Sequence, residues 1–118
     1  MPIMTALGPY SPVVRAGQFV IVSGQLGMVD GSLVDGVAAQ TTAVVANLSA
    51  RLAEEGLGLD AVVKTMCFLT DMGTFAEFND AYVAAMDGNR PARSTIGVAG
   101  LPFGAQVEIE AWAYVGDS

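Results

Sequence analysis

The sequence predicts an α+β domain, and three observations carry that expectation. Two segments, Val37–Glu55 and Phe75–Met86, place apolar residues at helical spacing between start and stop signals. Val62–Leu69 is a β-branched, apolar run of strand length. The last segment, Ala105–Val115, alternates with period two. Two helices of this kind cover one face of a single sheet and leave the other face open.

From the N-terminus, Gly8-Pro9-Tyr10-Ser11-Pro12 is a rigid stretch in which two prolines bracket Tyr10. Val13–Arg15 and Phe19–Ser23 read as short strands across a turn at Ala16-Gly17. Asp30-Gly31 is a second turn, joining Gln25–Val29 to Ser32–Val34. Asp35 is the N-cap candidate for a helix from about Val37 to Glu55, whose stripe is Val37, Thr41, Val44, Val45, Leu48 and Leu52. Gly56 stands where a left-handed C-terminal residue is wanted.

Val62–Leu69 reads as a central strand. Thr74 and Glu77 form a capping box for the second helix, Phe75–Met86, with the stripe Phe75, Phe78, Asn79, Tyr82 and Met86. Ala92–Ala99 and Ala105–Val115 are the last strands, joined through Gly100-Leu101-Pro102-Phe103-Gly104. In the final strand Val107, Ile109, Ala111, Ala113 and Val115 form an apolar face that fits under the helices. Gln106, Glu108, Glu110, Trp112 and Tyr114 point the other way. Aromatics beside carboxylates on an uncovered face point to a second subunit in a closed symmetric oligomer.

The chain has 118 residues, enough for one core, and is read as one domain over residues 1–118. It is 53% hydrophobic and 14% charged, which excludes a disordered chain. Net charge is −7, and Arg15, Arg51, Lys64, Arg90 and Arg93 are scattered, so the basic stripe of a nucleic-acid binder is missing. No segment is long enough to span a bilayer, and the Met1–Gly8 start has no basic n-region. Cys67 is the only cysteine, so no intrachain disulfide forms and a cytoplasmic location fits. There is no histidine, which removes the commonest general base and metal ligand. Gly24, Gly27, Gly31 and Gly36 lack the spacing and the Lys-Ser/Thr element of a phosphate loop.

Seven segments line up with one family: Gly8-Pro9-Tyr10-Ser11-Pro12, Val22-Ser23-Gly24-Gln25, Val63-Lys64-Thr65, Phe68-Leu69-Thr70-Asp71-Met72, Asn79 with Tyr82, Pro91-Ala92-Arg93-Ser94-Thr95, and Leu101-Pro102 through Val107-Glu108-Ile109-Glu110-Ala111. In this order, from Gly8 to Ala113, the chain resembles the reactive-intermediate deaminases, the RidA/YjgF family. The resemblance implies a chorismate-mutase-like sheet, a homotrimer and active sites between subunits. It implies hydrolysis of enamines and imines such as 2-aminoacrylate and 2-iminopropanoate to a 2-oxo acid and ammonia, without metal or organic cofactor.

The residues themselves leave several roles open. A guanidinium at Arg93 suits a substrate carboxylate, through two parallel hydrogen bonds, as well as an ion pair with Glu108 or Glu110. The resemblance selects the ligand role. Glu108 is the candidate acid/base that activates water. Glu110 shares its face, and only the resemblance separates the two. Asn79, on an apolar helix face, either pins a neighbouring element or contacts ligand. Tyr10 either closes a pocket or staples its own segment. Ser23 reads as a hydrogen-bonding residue, because without a histidine it lacks the base a nucleophile needs. Thr95 shares the strand face of Arg93, and the resemblance places it at the substrate or water. Cys67 and the methionines read as core.

Phe103, Gly97 and Gly27 depart from the family pattern, which bears on pocket shape and on which imine is preferred. A non-catalytic protein binding small carboxylates such as 2-oxo acids is the alternative on the same scaffold. Ribonuclease activity, a label used within the family, fits the charge least.

Overall fold

Seven strands and two helices follow one another along residues 8–116, the part of the chain that the computed structural model describes. The Met1–Gly8 start, read above for a targeting signal, lies outside that range except for Gly8. Strands β1 (Val13–Ala16) and β2 (Phe19–Leu26) form a hairpin, and β3 (Met28–Val29) and β4 (Ser32–Leu33) form another. Helix α1 (Val37–Glu54), β5 (Val62–Leu69), α2 (Phe75–Met86), β6 (Ala92–Gly97) and β7 (Val107–Tyr114) complete the order.

The main sheet runs β1-β2-β7-β5-β6. β5 and β6 are parallel, joined across α2, while every other neighbouring pair is antiparallel. The sheet is therefore mixed; β5 is an interior strand, as expected, and β7 is the middle one of the five. The expected single sheet needs correction, because β3 and β4 stand apart as a two-stranded ribbon. At Asp30-Gly31 both residues have positive φ, 51° and 83°, as a tight two-residue hairpin requires.

Side chains of α1 explain why the ribbon leaves the sheet. Asn47 donates to the carbonyls of Leu26 and Met28 at 2.9 and 3.1 Å. Gln40 donates to the Val34 carbonyl at 3.0 Å and accepts from the Gln106 amide at 2.8 Å. Backbone groups that a longer strand would pair are thus satisfied by a helix. The close approach depends on Gly27: a methyl group there would stand 2.8 Å from Gln40 Cα.

Both helices occupy the expected segments, but α1 does not start with the expected cap, and α2 has Thr74 at its N-cap as expected without the expected capping bonds. Gly36, at φ 92°, is the N-cap of α1, so Asp35 is not. Thr74 and Glu77 do not close a capping box either. The Thr74 hydroxyl donates to the Asp71 carbonyl at 2.6 Å, and the Glu77 carboxylate reaches across to accept from the Ala38 amide at 3.3 Å. An acid on α2 thereby serves the positive N-terminus of α1. The α1 C-terminus is as expected: Gly56 is left-handed at φ 73°, and Gly56 and Leu57 donate back to Ala53 and Leu52.

The core forms where strand and helix periods meet. Val107, Ile109, Ala111 and Ala113 of β7 are buried with Val20, Val22, Cys67 and Leu69, under Val44, Leu48, Leu52 and Phe78. Glu108 and Glu110, on the opposite face of the same strand, are half-buried, and Trp112 and Tyr114 are exposed. Phe19 meets Trp112 and Tyr114 edge-on, at centroid distances of 6.2 and 5.5 Å. Among the described residues no helix is long and apolar enough to cross a membrane.

Candidate active site

Arg93 sits on β6 beside Thr65 of β5, so its side chain leaves the sheet on the helix-covered face. There α2 receives it. The guanidinium carbon lies 4.8 Å from the Tyr82 ring centroid, 5.6 Å from Phe78 and 5.7 Å from Phe75. Each distance is within the range of a cation–π contact, which contributes roughly 0.5–2 kcal/mol depending on exposure. Arg93 forms no ion pair among the described residues, so the pairing with Glu108 or Glu110 is not made within the chain. The rings hold its position and leave its charge uncompensated.

Tyr82 is itself anchored. Its hydroxyl shares a buried 2.7 Å hydrogen bond with the Thr65 hydroxyl. Burial raises the Tyr82 pKa above its ordinary value, with the Thr65 hydrogen bond opposing that shift, so the phenol stays protonated. A chain of contacts therefore runs from β5 through Tyr82 to Arg93. Tyr82, Phe75 and Phe78, expected as the apolar stripe of α2, also hold Arg93 in place. Their spacing at i, i+3 and i+7 was the available signal, but such a stripe also describes ordinary core.

A cavity of about 270 Å³ opens between α2 and the start of β6, lined by Arg93, Arg90, Asn79, Tyr82 and Val83 among others. Asn79 is half-buried at this cavity, which gives the polar residue of the apolar stripe a place. Thr95, two residues beyond Arg93, pairs with Cys67, and its hydroxyl is buried with no hydrogen-bond partner among the described residues. The Cys67 sulfur beside it is only a weak partner. Cys67 itself is fully buried, and that burial pushes its thiol up to about 11 despite the opposing influence of Thr65 and Arg93. At that value the thiol is no nucleophile, in keeping with the core reading.

Glu108 lies elsewhere. It faces away from the helices, half-buried beside the bulge where Ser23 and Gly24 of β2 together oppose Glu110. A methyl group at Gly24 would stand 2.6 Å from Glu108 Oε1, so the missing side chain makes room for the carboxylate. Burial raises the Glu108 pKa above the usual carboxylate range, and the neighbouring Glu110 charge adds to the rise.

Ser23 bonds the N-terminal segment. Its amide and hydroxyl both donate to the Pro12 carbonyl, at 3.0 and 3.3 Å. Tyr10 is exposed, with its amide donating to Gly8 at 2.9 Å. The expected site residues thus form two groups within one chain. Arg93, Asn79 and Thr95 lie on the helix side, with Arg93 and Asn79 at the cavity, while Glu108 lies on the open side next to the Ser23-Gly24 bulge.

Comparison with known proteins gives this arrangement a lineage. The family described as Endoribonuclease L-PSP matches residues 3–115. The 2-iminobutanoate/2-iminopropanoate deaminase of Mus musculus is 40% identical over 114 residues, covering 94% of this chain and 84% of the mouse protein. The crystal structure of RidA from an Antarctic Psychrobacter superposes with a TM-score of 0.90 at 39% identity, covering 95% of this chain and 93% of that one. The structure of Escherichia coli TdcF with bound serine has a TM-score of 0.90 at 32% identity, covering 95% and 92%. By profile, sequence and fold together, the chain belongs to the RidA/YjgF family of the endoribonuclease L-PSP superfamily.

Proposed function

We propose that this protein hydrolyses reactive 2-imino acids and their enamine tautomers to 2-oxo acids and ammonia. The observation that carries the reading is Arg93: an uncompensated guanidinium, fixed on three aromatic rings and lining a cavity. Such a group binds a carboxylate with two parallel hydrogen bonds and gives an anionic substrate a local attraction in a chain of net charge −7. The mouse relative supports the substrate class, and the serine bound to the Escherichia coli relative is a small carboxylate of similar size.

Glu108 is the proposed acid/base. Burial raises its pKa, which strengthens it as a base and lets it hold the proton it later returns. An enamine first takes a proton at its β-carbon to become the imine. Glu108 then accepts a proton from water as the water oxygen bonds to the imine carbon, and the C=N electron pair moves to nitrogen. Glu108 returns that proton to the nitrogen to give the neutral carbinolamine, and the carbinol proton, relayed through the same carboxyl group, then protonates the nitrogen again, so the C–N bond breaks, ammonia leaves and the oxygen becomes the 2-oxo group. Because Arg93 and Glu108 leave opposite faces of the sheet, the proposed site joins Arg93 of one subunit to Glu108 of the next in a homotrimer, with Tyr10, Ser23, Asn79 and Thr95 around it. Covering the open face with Trp112, Tyr114 and Phe19 gives that assembly its apolar contact.

The test couples an amino-acid oxidase, which forms the imine in situ, to detection of the 2-oxo acid. Wild-type protein should accelerate release, and Arg93→Ala should return it to the uncatalysed rate. Equal rates for the two would remove the proposal. Saturable, Arg93-dependent binding of 2-oxo acids with no turnover would replace it by a carboxylate-binding role.

A further inference from the structure

Arg93 is not alone at its cavity, because Arg90 lines it too. The chain has five cationic side chains in all, so one cavity takes two of them, and no described carboxylate lines it. Neither arginine forms an ion pair among the described residues. Pro91 lies between them and limits the backbone there, with Arg90 just before β6 and Arg93 its second residue.

A monocarboxylate satisfies one guanidinium fork and leaves the second without an anion. Asn79 and Asn89 add neutral hydrogen-bonding groups, while Val83 and Tyr82 supply an apolar wall. With a volume of about 270 Å³ the cavity has room beyond a small monocarboxylate, enough for a four- or five-carbon chain with a carboxylate at either end.

We infer that the cavity accepts dicarboxylic 2-imino acids, the imines of acidic amino acids. Arg93 holds the carboxylate next to the imine carbon, and Arg90 holds the distal one and determines specificity. The inference rests on the imine-hydrolase reading above and uses the same reaction: water adds at the imine carbon, the C–N bond breaks, and a dicarboxylic 2-oxo acid and ammonia are released.

The experiment compares imines made in situ from glutamate, aspartate and alanine by the matching oxidases, with wild type, Arg90→Ala and Arg90→Lys. The expected result is that Arg90→Ala lowers the ratio of kcat/KM for the acidic imines to that for the alanine imine at least about tenfold, mainly through KM. Arg90→Lys, which keeps the charge, should restore part of that ratio. An unchanged ratio in Arg90→Ala, with the alanine imine still hydrolysed, overturns the assignment of Arg90 and leaves the hydrolase reading standing. If no imine is hydrolysed, the hydrolase reading fails, and calorimetric titration decides the specificity separately. A preference for 2-oxoglutarate over pyruvate that disappears in Arg90→Ala supports the two-arginine site, and equal affinities overturn it.

Discussion

Arg93 and Glu108 leave opposite faces of one sheet, with β5 lying between their strands. Thr65 pairs with both Arg93 and Ala111, and Cys67 with both Thr95 and Ile109, so Arg93 shares the buried face of β7 while Glu108 alternates to the other. A layer of hydrogen-bonded backbone separates the two side chains, and no rotamer change brings them together on one substrate.

This separation makes a sharp prediction about assembly. Arg93→Ala and Glu108→Gln should each be inactive alone, yet regain activity when the two chains are co-expressed. Random mixing in a closed ring places an intact Arg93 against an intact Glu108 at about one interface in four, so about a quarter of wild-type activity is expected. Mixed oligomers that form but stay inactive would show that the two residues do not share a site.

Glu108 should also mark the pH dependence of stability. Its folded pKa is raised, so the native chain holds the proton more tightly than the unfolded one. That contribution is fully present below the unfolded pKa and is lost as pH rises through the folded pKa. Glu108→Gln does not titrate. Its Tm should therefore gain on wild type as pH rises from below the unfolded glutamate value of about 4.3 through the higher folded value. A Tm difference that is flat with pH would rule out the burial of this carboxyl as the cause.

The Tyr82–Thr65 hydrogen bond should show coupling. Tyr82→Phe leaves the buried Thr65 hydroxyl with only the weak Cys67 thiol donor at 4.0 Å, at a cost of about 1–3 kcal/mol. Thr65→Val should cost a similar amount, and the double variant less than the sum, since it leaves neither partner orphaned. Denaturant unfolding of the four proteins measures this, and strict additivity would contradict it. If the pair also holds Arg93 in place, Tyr82→Phe should raise KM more than it lowers kcat.

At Gly24 the prediction concerns space. A methyl group there would stand 2.6 Å from Glu108 Oε1, so Gly24→Ala must displace that carboxylate. Activity should fall by about tenfold or more, because a general base works only within hydrogen-bond reach. The methyl group would also crowd Glu108 Cδ and Cγ, at 2.7 and 2.9 Å, so the whole side chain must swing and Tm should fall as well, by less than a core substitution would cause. A large fall in Tm with unchanged activity would invert this account.

The sequence by itself determined the elements and the family. Helical and strand periods are local properties, so α2 and β5 lie where their apolar spacing puts them, and the alternation of β7 told which residues would be core. The ordered motifs carried the family. Tertiary structure decided what depends on neighbours distant in sequence. It turned Glu77 from a cap on its own helix to one on α1, because that amide was in reach and unpaired. It drew β3 and β4 out of the sheet, because Gln40 and Asn47 took their backbone partners. Above all, it placed Arg93 over Phe75, Phe78 and Tyr82 and set Glu108 behind the sheet. Both outcomes follow from the register of β6 on β5 and of β5 on β7, and a register between distant strands is decided by packing that no local spacing encodes.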